Sequence, residues 1–217
     1  VVGAGRCRRA ACGAELISLS AHKIGGPVGV GALILGRGTA ADPLLHGGSQ
    51  QRARSGTQDV AGAVAFAAAL DLCGGGAAER LARLAALRDR LIDGVRAAVP
   101  DAVLRGAAPA SVDGTGGPGR LPGNAHFSFP GCQGDSLVFL LDAAGVSASV
   151  GSACRAGVAE TSHVLLAMGL PEAEAVGALR FTLGFETRDE EVDALLAALP
   201  GAVERARAAG LVSGASA

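Results

Sequence analysis

Apolar and polar positions along the chain change period several times, and each change predicts an element. Leu16-Ile17-Ser18-Leu19-Ser20 reads as a short buried strand, and Val28 to Leu35 as a second strand after a glycine turn. Residues 36–58 are polar and loop-rich, whereas Val60 to Leu72 is an apolar, alanine-rich helix. Gly74-Gly75-Gly76 interrupts that pattern and reads as a hinge or domain junction. Glu79 to Val99 carries leucines and alanines at helical spacing with arginines between them, an amphipathic helix that Pro100 ends. Ser111 to Pro122 is a Gly/Pro-rich loop. His126-Phe127-Ser128-Phe129 alternates as a strand does, and Pro130-Gly131 punctuates it. Beyond it come a helix over Ser136 to Ala144, a strand over Val146 to Val150, a helix over Ser162 to Met168 and a strand over Ala178 to Leu183. Asp189 to Ala209 closes the series as a helix opened by acidic residues, which suit a helix N-terminus. Alternation of strand and helix in the C-terminal stretch predicts a small α/β or α+β domain.

Composition narrows the class. The 217 residues suit one or two domains. Apolar residues make up 49% and charged residues 18%, enough for a core and unlike a disordered chain. A formal net charge of -1 gives no basic surface for nucleic acid. No apolar run reaches membrane-spanning length, and the start lacks a signal-peptide pattern. The five cysteines are odd in number and form no C-x-x-C pair, so a reduced, cytoplasmic protein is expected. The chain opens on Val1 and its single methionine is Met168, so it reads as a fragment or a mispredicted gene product.

Two residues carry candidate chemistry. Lys23 stands beside His22 and ahead of Gly25, Gly26, Gly29 and Gly31. Glycines let a backbone approach a ligand closely, and a desolvated lysine forms a Schiff base with a carbonyl cofactor. A solvated lysine in a glycine turn fits the same residues. Cys154 lies in the small-residue stretch Val150-Gly151-Ser152-Ala153-Cys154-Arg155-Ala156-Gly157, where the adjacent cation favours thiolate. A free cysteine in a turn is the alternative there. Cys7, Cys12, Cys73 and Cys132 read as small buried apolar residues. His46 suits a structural role in its loop as well as a ligand's, His126 reads as a satisfied polar group on its strand, and His163 reads as orienting the helix it opens.

Ser20-Ala21-His22-Lys23-Ile24-Gly25-Gly26-Pro27-Val28-Gly29-Val30-Gly31 closely resembles the pyridoxal phosphate lysine motif of NifS/IscS-like cysteine desulfurases, within the class V aminotransferase fold. Gly47-Gly48-Ser49-Gln50-Gln51 with Arg54-Ser55-Gly56-Thr57 resembles the family's next segment. Asn124 to Gly134, with Pro130-Gly131-Cys132-Gln133-Gly134, resembles the strand and turn that open the small domain's core. Gly151-Ser152-Ala153-Cys154, followed by Ser162-His163-Val164-Leu165-Leu166-Ala167-Met168-Gly169, resembles the catalytic cysteine loop and its helix. Arg180-Phe181-Thr182-Leu183-Gly184 and Thr187 resemble the segment that holds the substrate carboxylate. These motifs keep the family's order from Ser18 to the last helix, whereas residues 1–13 match poorly.

The resemblance implies an α/β protein of the pyridoxal phosphate-dependent transferase class, the aspartate aminotransferase fold type I. Residues 1–75 would be the end of a truncated large domain, and residues 76–217 a C-terminal small domain. It implies that Lys23 holds pyridoxal 5'-phosphate as a Schiff base and shuttles a proton at the substrate Cα. Ser20 and His22 would grip the phosphate, and Thr57 would reach the phosphate of the neighbouring subunit's cofactor in an obligate homodimer. Arg180 would pair with the substrate carboxylate, where a planar fork suits two oxygens. Cys154 would take the sulfur of L-cysteine as a persulfide, release L-alanine, and pass the sulfur to an iron–sulfur scaffold or another acceptor. No metal site is implied beyond transient cluster binding at Cys154.

The chain departs from the family in two places. The histidine that stacks on the cofactor ring and the aspartate on its pyridinium nitrogen normally precede the lysine strand, and neither is present here. The chain alone is therefore expected neither to fold stably nor to desulfurate cysteine. Gly184-Phe185-Glu186-Thr187 also differs from the usual pattern, which touches substrate positioning. Selenocysteine lyase and a plain aminotransferase share the fold, and an inactive remnant serving dimerisation or scaffold binding is the non-enzymatic alternative.

Overall fold

A computed structural model of the chain describes residues 13–48, 54–112, 119–150 and 161–214. The chain divides into two compact units, Val1–Glu79 and Arg80–Ala217.

In the first unit β1 (Leu16–Ser20) pairs antiparallel with β2 (Gly31–Leu35), Leu16 opposite Leu35 and Ser20 opposite Gly31. A short 3-10 helix, Ala21–Ile24, follows β1 directly. Gly25, at φ +80°, ends it, and the amide of Gly26 donates to Ala21 O at 2.9 Å. The second strand begins later than Val28 because Gly29, at φ +84°, bends the chain before the ladder can start. Helix α1 (Val60–Gly74) is capped by Asp59, whose carboxylate accepts from the Gly62 amide at 2.9 Å. Helix α1 packs on the 3-10 turn so closely that a Cβ on Gly26 would stand 3.2 Å from that of Ala69.

The expectation of a buried first strand is corrected here. Leu16 is exposed, and so is every residue of β2. An isolated two-stranded ribbon has two faces and little within the unit to cover either. The apolar run therefore marks a strand, but its burial depends on material beyond the ribbon.

The second unit takes in α2 (Ala77–Ala98) from Arg80 onward and holds a four-stranded sheet in the order β3-β4-β6-β5. Its strands are β3 (Val103–Leu104), β4 (Asn124–Ser128), β5 (Ser149–Val150) and β6 (Ala178–Thr182). All pairings are antiparallel. Helices α3 (Gly134–Asp142), α4 (His163–Ala167), α5 (Glu172–Ala175) and α6 (Asp189–Gly214) complete it. The two-residue β3 and the one-turn α5 are too short to show a period in sequence. Helix α6 runs past Ala209 with Pro200 inside it.

Alternation along β4 and β6 sorts the sheet into two faces. Ala125, Phe127, Leu179 and Phe181 point to the core, with Phe127 and Leu179 at 0% exposure. There they meet Leu91 and Val95 of α2, Leu137 and Leu141 of α3, and Leu195 and Leu199 of α6. Asn124, His126, Ser128, Arg180 and Thr182 occupy the opposite, polar face. Gly177, just before β6, lets that strand lie against the turn after β4. A Cβ there would come within 2.4 Å of Phe129 O.

Arginines of α2 fasten the loop between β6 and α6. Arg83 donates to Thr187 O at 2.7 Å and also to Phe185 O. Arg80 lies over the Phe185 ring, 5.3 Å from its centroid. Arg90 bridges to Asp189 at 2.8 Å and to Asp193. Thr187 Oγ1 in turn accepts from the Gly184 amide at 2.9 Å.

Candidate functional site

The sequence-predicted residues fall on both units, and each unit's share stands by itself. In the first, Ser20 ends β1, and His22 and Lys23 sit on the 3-10 helix that follows. All three side chains are exposed, and none has a hydrogen-bond or ion-pair partner among the described residues. A hydroxyl, an imidazole and an amine on four consecutive residues are a donor set that suits a phosphate and a carbonyl group together. The turn has this form because Ala21 is buried beneath it and Gly25 closes it. Thr57 is exposed in the loop before α1. Cys73 of α1 donates from Sγ to Ile24 O at 3.5 Å, which ties the helix to the lysine turn. It is only partly buried, less than its small apolar character suggested.

In the second unit Arg180 lies on the polar face of β6, paired in register with His126 of β4 on one side and Ser149 of β5 on the other. One end of that face is covered. Ala178 packs with Leu165 of α4 and Ala175 of α5, and Ser128 accepts from Arg105 Nε at 3.0 Å. The other end, around His126 and Arg180, is only partly buried.

Three arginines surround His126, and two are already spent. Arg105 is ion-paired with Glu174 at 2.6 Å. Arg120, buried in the loop before β4, donates to Ala107 O at 2.7 Å, to Asn124 O at 3.4 Å and to Arg105 O. Arg180 alone of the three has no hydrogen bond or ion pair among the described residues. Burial, and then the charges of Arg180, Arg120 and Arg105, hold the His126 imidazole below its ordinary pKa.

His126 therefore differs from expectation: its imidazole has no hydrogen-bond partner among the described residues. Sequence reasoning also passed over Arg105 and Arg120: the Arg105 amide donates to His126 O beside β4 at 2.8 Å, and Arg120 is held near it by loop carbonyls. His163 is exposed, and it is buried Ser162 that caps α4, accepting from the Leu165 amide at 3.5 Å. Cys132 is buried as expected, its Sγ 3.8 Å from Val203 O, and burial pushes its thiol up in pKa. His46 is exposed. Cys154 and the rest of residues 151–160 lie outside the described residues, as do Cys7, Cys12 and Gln50-Gln51.

The profile of the aminotransferase class-V family matches residues 2–195. The chain belongs to the class V aminotransferase family. That match begins well ahead of Ser18, so the family's pattern also takes in the first residues, which read poorly by motif. An IscS-like cysteine desulfurase of Mycobacterium tuberculosis is 52% identical over 204 residues, 94% of this chain and 50% of that protein. A cysteine desulfurase IscS of Clostridium botulinum is 41% identical over 194 residues, 89% of this chain and 47% of that protein. Among solved structures, a NifS-like protein superposes with a TM-score of 0.76 at 31% identity, over 94% of this chain and 50% of its own. A NifS-like protein from Rickettsia africae shares the fold with a TM-score of 0.78 at 24% identity. This class V aminotransferase chain thus has the α/β architecture of fold type I and spans about half the length of the curated relatives it matches. No single helix among the described residues is long and apolar enough to cross a membrane.

Proposed function

We propose that this chain carries the lysine, cysteine and arginine of a pyridoxal phosphate-dependent cysteine desulfurase. The observation that carries the reading is Arg180: a guanidinium without a partner among the described residues, on a partly open sheet face, in a chain whose relatives are named cysteine desulfurases. A free planar fork beside a neutral imidazole is a receptor for an α-carboxylate.

Each residue then has one task. Arg180 binds and orients L-cysteine through its carboxylate. Ser20 and His22 hold the cofactor phosphate, and Thr57 reaches that of a second subunit, which makes the working form a homodimer. Lys23 anchors the cofactor and moves a proton at the substrate Cα through its Nζ. Bound pyridoxal phosphate supplies an electron sink for the bonds at that carbon. Cys154, as thiolate, attacks the substrate sulfur. The carbon–sulfur bond breaks, the carbon side takes up a proton and leaves as L-alanine, and Cys154 keeps the sulfur as a persulfide. The net change is L-cysteine plus thiol to L-alanine plus persulfide, which balances in atoms and electrons. The persulfide goes to an acceptor protein such as an iron–sulfur scaffold, in the cytoplasm. Residues 1–75 serve the cofactor side and residues 76–217 the substrate and sulfur side.

The test is to incubate the chain with pyridoxal phosphate and L-cysteine, alone and joined to any coding sequence found ahead of Val1. The expected result is L-alanine with protein-bound sulfane sulfur in the longer form and none in the 217-residue chain. Cys154→Ser abolishes the bound sulfur, and Arg180→Ala raises KM for L-cysteine about a hundredfold, the worth of a charged hydrogen-bonded pair. Equal L-alanine production by Cys154→Ser would move the reading to a plain aminotransferase, and no product from either form would end it.

A further inference from the structure

We propose that His126 is a positioning residue for the carboxylate at Arg180, and that proton uptake by its imidazole adds a second positive charge to the same anion site. The inference rests on Arg180 being the carboxylate residue and adds what regulates its affinity.

The geometry starts from register. His126 and Arg180 are directly opposed on β4 and β6, so their side chains leave the same face a few ångströms apart. The charged groups around the imidazole come from three directions. Arg180 faces it from β6, Arg105 from the residue after β3, and Arg120 from the loop before β4. Glu174 of α5 neutralises Arg105. Arg120 is spent on carbonyl oxygens and has Arg88 of α2 as a further positive neighbour. Ser149, across from Arg180 on β5, is uncharged.

Among the described residues the local balance around His126 is therefore positive, with Arg180 its one unpaired contributor. An anion on Arg180 cancels that charge and makes proton uptake by His126 easier. The coupling is reciprocal, so a protonated His126 must tighten the anion by the same factor. Neutral, the imidazole leaves Arg180 as the only cation around it without a partner among the described residues. Protonated, it offers the carboxylate a second donor on a fixed strand. A residue that merely fills space on β4 would show no such coupling.

The experiment uses the longer form described above and L-alanine as the carboxylate probe. The titration of the His126 ring is followed by NMR with and without L-alanine, with chloride balancing the ionic strength. The His126 signal is assigned from its loss in His126→Asn, or by replacing the other histidines in turn if that variant does not fold. The expected result is a higher titration midpoint for His126 with L-alanine, and an affinity for L-alanine that rises about fivefold as pH falls through that midpoint. In His126→Asn that pH dependence disappears while binding persists. Arg180→Lys weakens binding at every pH. Arg180-dependent binding of L-alanine that leaves the His126 midpoint unmoved overturns the inference and spares Arg180's role. Binding indifferent to Arg180→Lys and Arg180→Ala, or no binding at any pH, overturns both.

Discussion

The two antiparallel ladders of this protein have similar apolar content and opposite surroundings. In β1–β2 no leucine or isoleucine is fully buried among the described residues: Ile17 and Leu19 are half-buried, and Leu33 and Ile34 stay exposed. In β4–β6 every second residue meets α2, α3 or α6 and is lost to solvent. Strand formation needs a pattern and a partner strand, whereas burial needs a second layer. The contrast also separates the chemistry. On the lysine turn the side chains of His22 and Lys23 are exposed and have no partner among the described residues, while Arg180 projects from a strand fixed by a packed core.

The largest expected effect breaks the better-packed side. Phe127→Ala removes a fully buried ring and should cost about 3–5 kcal/mol, read as a lower urea midpoint for the second unit. Hydrogen exchange then sharpens the contrast. Amides of β4 and β6 should exchange far more slowly than those of β1 and β2, and equal protection would refute the comparison. On the first unit, Asp59→Ala removes the cap of α1 and should cost about 1 kcal/mol, seen as faster proteolysis near Val60. The His126 effect on pH is smaller. Its folded pKa is lowered, so the unfolded chain takes up the proton first as pH falls below about 6.5. Stability from this group is full above that pH and declines as pH drops toward the folded value. Because the site is partly open, the change should stay under about 1 kcal/mol and vanish in His126→Asn, measured by thermal unfolding across pH. Smallest of all is Leu33→Ser on the exposed ribbon, expected within about 0.5 kcal/mol of the parent while reducing aggregation.

Much of the fold was legible because its long elements keep one period. The bounds of β1 agree with the sequence reading, and α2 and β6 agree to within about two residues. What was not legible is what depends on partners distant in sequence. Nothing in Leu16 to Leu35 says whether a second layer covers the ribbon. Nothing in His126-Phe127-Ser128 says that His126 faces Arg180, since register is a property of two strands. Lys23 and Arg180 drew attention through their neighbours in the chain, whereas Arg105 and Arg120 come to notice only through neighbours in space.

The arginines of α2 that grip the loop after β6 have a thermodynamic consequence for recognition. A free loop next to a binding residue loses conformational freedom when the ligand arrives, and that loss is subtracted from affinity. Here Arg83 holds two carbonyls of that loop and Arg80 holds its only ring, so the ordering is completed on folding. On the proposed role of Arg180, its carboxylate ligand would meet a strand whose flanking loop has already given up that entropy.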